Sequence, residues 1–67
     1  MPDLKLSLPT RLTQDELAHR WRISPRTLER WRTGDAGPAW LRLRGRVFYR
    51  IEDVLAFETA CLRRPQG

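Results

Sequence analysis

The sequence predicts a mostly helical α+β fold: two short helices meeting at a sharp corner, a two-stranded β-hairpin and a C-terminal helix. Three observations predict it. Two helix-start signals, Thr13 with Glu16 and Ser24 with Pro25, follow each other closely. The stretch "AWLRLRGRVFYR", residues 39–50, shows a strand-like alternation, apolar and basic over Leu41–Arg44, and is interrupted at Gly45. The stretch "RIEDVLAFETACLRR", residues 50–64, returns to helical spacing. At 67 residues the chain is expected to form one domain. So small a domain buries only about 60% of its unfolded surface, which leaves little room for a deep pocket and points to function on an outer face.

Residues 1–11 hold Pro2 and Pro9 and show no helical period, so a flexible N-terminal arm is expected there. The first helix is predicted over about 14–20. Thr13 is a good N-cap, and Glu16 three residues later completes a capping box. Leu12 and Leu17 fit a hydrophobic staple, and Asp15 and Glu16 suit the positive end of the helix dipole. Leu17, Ala18 and Trp21 form its inward stripe. The second helix starts at Ser24, with Pro25 at the first helical position, where a missing N–H costs nothing. Ile23 and Leu28 repeat the staple. The short link forces a sharp angle, giving the helix-turn-helix pattern.

Leu28 and Trp31 set the buried direction of the second helix. Arg26, Glu29, Arg30 and Thr33 then point outward, with Thr27 and Arg32 on the flanks. Arginine can take two acceptors on guanine in the major groove, and a hydroxyl can contact a base or phosphate. Ser24 and the helix N-terminus can hold a phosphate. The competing reading is a solvated face on which Glu29 pairs with Arg26 or Arg32.

"TGDAGP", residues 33–38, is a loop. In the hairpin, a turn at Arg44–Gly45–Arg46 is expected to place Leu41, Leu43, Val47 and Tyr49 inward and Trp40, Arg42, Phe48 and Arg50 outward. Arg44 and Arg46 then flank the tip. The last helix carries Glu52 and Asp53 in its first turn and Arg63 and Arg64 at its end, matching the dipole. Ile51, Val54, Leu55, Cys61 and Leu62 are its predicted buried stripe, with Phe57 at the edge. Cys61 is read as a small buried hydrophobe, His19 as a surface or flank residue, and residues 65–67 as a frayed tail. The domain proper is expected over 12–64, with Trp31 and Leu28 packed against Leu17, Trp21, Leu43 and Leu55.

Charge is the informative part of the composition. The chain carries +5 overall, but residues 20–50 hold nine arginines against Glu29 and Asp35, net +7, while each flank is −1. All the excess positive charge therefore lies in the middle, as expected for a polyanion partner. One cysteine and one histidine exclude an internal disulfide and the usual four-ligand zinc site. No apolar run approaches the roughly 20 residues of a membrane span, and "MPDLKLSLPT" lacks a signal-peptide core. A cytoplasmic protein is expected. The chain offers no nucleophile–base pair, metal cluster or phosphate-cradling glycine loop, so neither an enzyme nor a cofactor is expected.

Residues 12–58 resemble the excisionase-like winged helix-turn-helix family, related to the DNA-binding domain of MerR-type regulators. The resemblance rests on the "LT…ELA" opening, "ISPRTLERW", "GPAWLRLRGRVFYR" and "EDVLAFE". It implies a winged helix-turn-helix with a two-stranded β-hairpin wing and a closing helix, the second helix entering the major groove and the wing touching the adjacent minor groove or backbone. Carried over by position, Arg26, Thr27 and Arg30 match the base-reading or backbone-clamping residues, and Arg44 and Arg46 match the basic wing tip. Ser24 joins them, with Arg22, Arg32, Arg42 and Arg50 as secondary backbone candidates. The function implied is that of an excisionase, a recombination directionality factor binding duplex DNA cooperatively with further copies of itself, bending attachment sites and working with a site-specific recombinase. The resemblance also implies a role in regulating transcription, and a bacterial or phage protein associated with the nucleoid. The alternatives are a small MerR-like transcriptional regulator and a protein-binding adaptor. Two departures stand out. Phe48 occupies a wing position that is often basic, and no sensor domain follows the wing. Phe48 across from Arg42 and Trp40 across from Arg50 are expected to form cation–π pairs; alternatively, Trp40 and Phe48 make an apolar patch on which a neighbouring copy docks.

Overall fold

Local capping chemistry starts both N-terminal helices where the sequence places them. In the computed structural model, which describes residues 10–63 and 65, the Thr13 hydroxyl accepts from the Glu16 N–H at 3.1 Å. The Glu16 carboxylate accepts from the Thr13 N–H at 2.8 Å. This closed capping box begins α1 (Gln14–Trp21). Arg22 then turns left-handed (φ 58°), and the Ile23 N–H bonds back to the Ala18 carbonyl at 3.0 Å. Ser24 caps α2 (Pro25–Thr33) by accepting from the Thr27 N–H at 3.3 Å. The remaining elements are β1 (Arg11–Thr13), β2 (Leu41–Leu43), β3 (Arg46–Arg50) and α3 (Ile51–Cys61). Together they form a small α+β arrangement of three helices and one three-stranded antiparallel sheet in the order β1-β3-β2.

The sheet has one strand more than the sequence predicts. Arg11 belongs to β1 and pairs with Arg50, so the expected arm ends before it. Residues 1–9 of that arm, Arg64 and tail residues 66–67 lie outside the described residues. The hairpin register also differs. Arg44 (φ 52°) and Gly45 (φ 81°) alone make the turn, and Leu43 pairs with Arg46, not Val47. Two consecutive residues with positive φ give the tight turn whose twist matches the strands. A one-residue change of register exchanges the faces. Leu41 therefore shares a face with Phe48, and Leu43 with Arg46, while Arg42 sits opposite Val47. Leu43 is 44% exposed and takes no part in the core.

The core gathers Leu12, Leu17, Ala18, Leu28, Tyr49 and Val54 between the helices and one sheet face. Trp21, Ile23, Trp31, Val47 and Ile51 pack around it, half-buried. Trp31 packs with Trp21 and Phe57, ring centroids 6.3 and 6.2 Å away, not with Leu43 and Leu55. The inward residues of α3 are Ile51, Val54, Phe57 and Glu58; Leu55, Leu62 and Cys61 are exposed, contrary to the predicted stripe. That helix is apolar on more than one side, so spacing alone does not fix its phase. Glu58 ties α3 to α1: it takes the Arg20 fork at 2.7 and 2.9 Å and the Trp21 indole N–H at 2.6 Å. No helix among the described residues is long and apolar enough to cross a membrane.

Candidate nucleic-acid interface

With Leu28 buried and Trp31 half-buried, helical geometry turns Arg26, Glu29, Arg30 and Thr33 outward, and all four are exposed. The Thr33 hydroxyl donates to the Glu29 carbonyl at 3.1 Å. At the N-terminal end of α2, the Ser24 and Thr27 hydroxyls lie 3.1 Å apart. Both belong first to the cap, and Thr27 is half-buried. Arg22 is exposed at the corner between the helices.

The loop after α2 brings the hairpin beside this face. Gly37 (φ 85°) lies flat on Trp31: a Cβ there would stand 2.9 Å from the indole. Pro38 is buried behind it. Trp40 then emerges between two guanidiniums, Arg32 at 5.5 Å and Arg42 at 5.7 Å from its ring centroid. Trp40, Arg42, Arg32, Glu29 and Thr33 line one groove between α2 and β2. The exposed face of α2 thus runs continuously onto the hairpin. Arg44 is at the exposed tip, and the Arg46 guanidinium lies 5.9 Å from the Phe48 ring centroid.

Two of the secondary candidates are otherwise engaged. Arg32 is half-buried and donates to the Tyr49 hydroxyl at 2.8 Å, inside the structure rather than toward a backbone phosphate. Arg50 is held by Asp53 at 2.7 Å and Glu52 at 3.5 Å. The hydrogen bond to Asp53, more than the nearby charges, raises its pKa above the ordinary value. The expected aromatic pairings change with the register. Phe48 lies under Arg11 (4.8 Å) and Arg46, not Arg42; Trp40 lies by Arg32 and Arg42, not Arg50. Trp40 precedes Leu41 and so falls on the sheet face opposite Phe48. The two rings cannot form one apolar patch.

Arg11, stacked on Phe48 on the other face of the sheet, is a further exposed cation that sequence reasoning misses, because three residues are too few to show a strand period. Glu29 is the other surprise. Among the described residues it forms no ion pair; its carboxylate accepts only from the neutral Gln14 amide, at 3.4 Å. Arg22, Arg26, Arg30, Arg32, Arg42, Arg44 and Arg46 likewise have no described acidic partner. A surface so composed is rich in N–H donors and positive potential, the chemistry that takes phosphate oxygens and the acceptor edges of bases. Among the described residues no cluster of metal-ligating side chains is present. Searches against known protein families, curated proteins and solved structures find no match to the chain.

Proposed function

We propose that the protein is a winged helix-turn-helix that binds duplex DNA, α2 entering the major groove and the β2–β3 hairpin serving as the wing. The observation that carries this reading is the exposure of Arg26 and Arg30 on a face of α2 that continues, through the groove at Trp40, onto Arg42 and the hairpin. Arg26 and Arg30 take guanine acceptors or phosphates. Arg44 and Arg46 hold the backbone beside the groove, and Ser24 with the α2 N-terminus approaches a phosphate. A single module of this size buries only about 600–1,000 Å² on DNA, so useful specificity requires several copies on neighbouring sites. Together with the family resemblance, this supports an excisionase that assembles on attachment-site DNA, bends it and directs a recombinase.

The test is a gel shift against duplex DNA flanking the gene. Wild-type protein is expected to shift it, and Arg26→Ala combined with Arg30→Ala to abolish the shift while leaving the circular dichroism spectrum unchanged. Both side chains are exposed, so the fold does not depend on them. An undiminished shift by the folded double variant overturns the proposal.

A further inference from the structure

Glu29 presents an electrostatic problem. It projects from the middle of the α2 face, with arginines three residues before it, three after it and directly following it. Helical neighbours at i±3 are close enough to pair, yet among the described residues neither Arg26 nor Arg32 does so. Arg32 is drawn away to the Tyr49 hydroxyl and the Trp40 ring. The carboxylate lines the groove with Thr33, Trp40 and Arg42, steadied from behind by the Gln14 amide. A bare carboxylate at that position repels a polyanion unless the approaching surface supplies a donor.

The major groove supplies few. Adenine shows its N6 amine beside the N7 acceptor, which repels a carboxylate; cytosine shows its N4 amine with no acceptor of its own alongside. We infer that Glu29 is a specificity-determining residue that accepts from the N4 amine of a cytosine. The inference rests on the duplex-binding reading above and deepens it. The guanine paired with that cytosine turns O6 and N7 into the same groove. Arg26, one helical turn before Glu29 on the same face, is the residue placed to take them. Glu29 and Arg26 thus read the two strands of a G·C pair or of adjacent pairs.

The experiment is selection from a random duplex library with full-length wild-type protein and with Glu29→Gln, followed by affinity measurements on the enriched sequences and on unselected duplex. Glutamine keeps the shape but adds an amide donor, which suits adenine N6 and N7. At one position the preference is expected to move from cytosine in the wild-type pool to adenine in the variant pool. The wild type should bind the cytosine site roughly tenfold more tightly than its adenine counterpart, the discrimination typical of a good base contact. If Glu29→Gln enriches the same sequences as wild type and binds every duplex more tightly, Glu29 merely repels the backbone and the inference falls, while duplex binding stands. A wild-type protein that binds no duplex overturns both.

Discussion

Glu58 receives three donors from α1, two from Arg20 and one from the Trp21 indole. The Arg20 hydrogen bond first, then that of Trp21, lowers its pKa from an ordinary 4.5 to about 2. The same bond raises the pKa of Arg20. A carboxylate depressed in the folded state contributes stability that is complete above its unfolded pKa and is lost as pH falls through the folded one. The window for Glu58 therefore runs from about pH 4.5 down to about pH 2. The site remains partly open, with Arg20 and Glu58 side chains 41% and 32% exposed, so solvent screening limits the effect. Glu58→Gln is expected to cost about 1 kcal/mol at pH 7, at the upper end for a screened pair. Other carboxylates titrate in the same range, so the difference between wild type and variant is the readout. Urea unfolding at several pH values should show that difference shrinking as pH falls through this window and vanishing only below about pH 2; a gap undiminished across it contradicts the role given to Glu58.

At the scale of elements, two glycines hold turns by different means, Gly37 between α2 and the hairpin and Gly45 at the hairpin tip. Gly45 takes φ 81° at the turn with open space around it, whereas Gly37 takes φ 85° pressed against Trp31. Alanine at either position incurs the left-handed backbone cost of about 1–2 kcal/mol. At Gly37 it must also displace an indole wedged against Trp21 and Phe57, an overpacking cost of about 1–3 kcal/mol more. Gly37→Ala should therefore unfold at clearly lower denaturant than Gly45→Ala and alter the near-ultraviolet aromatic signal, which Gly45→Ala should leave alone. Equal losses would show that Trp31 yields freely. These elements also show what the sequence made legible. The caps at Thr13 and Ser24 are local chemistry, written within four residues, and both helices start where predicted. The outward phase of α2 was legible because Leu28 and Trp31 are its only large apolar side chains. The hairpin was legible in kind but not in register, since "RGR" serves equally as a two- or three-residue turn and only strand pairing decides. β1 was hidden because Thr13 signals a helix cap while also ending the strand. In the candidate interface, Arg26, Arg30 and Arg44 were visible as exposed cations; the diversion of Arg32 to Tyr49, seventeen residues on, depends on tertiary packing, whereas that of Arg50 to Asp53 is an i,i+3 pair at the start of α3 that the hairpin reading passed over.

For the whole molecule, that diversion has a consequence in salt. The charge excess of residues 20–50 suggests a broad phosphate-binding surface, yet the secondary candidates are not equivalent. Arg22 and Arg42 are exposed without an acidic partner among the described residues, as are Arg44 and Arg46 at the hairpin. Arg32 and Arg50 already have partners inside the protein. Each phosphate neutralised releases counterions and contributes about −0.9 to the slope of log affinity against log salt. If these four arginines alone meet phosphates while Arg26 and Arg30 read bases, the slope is about −3.6, and raising salt from about 50 to about 200 mM weakens binding about 150-fold. If Arg32 and Arg50 also reach the backbone, the slope steepens to about −5.4 and the loss to roughly 1,800-fold. The expected result is the shallower slope, with Arg42→Ala lowering it by about one unit and Arg50→Ala leaving it in place. Affinity titrations at several salt concentrations separate the cases, because the slope counts phosphate contacts independently of which bases are read. A slope near zero would mean that the positive surface meets no polyanion, and duplex binding would then fall with it.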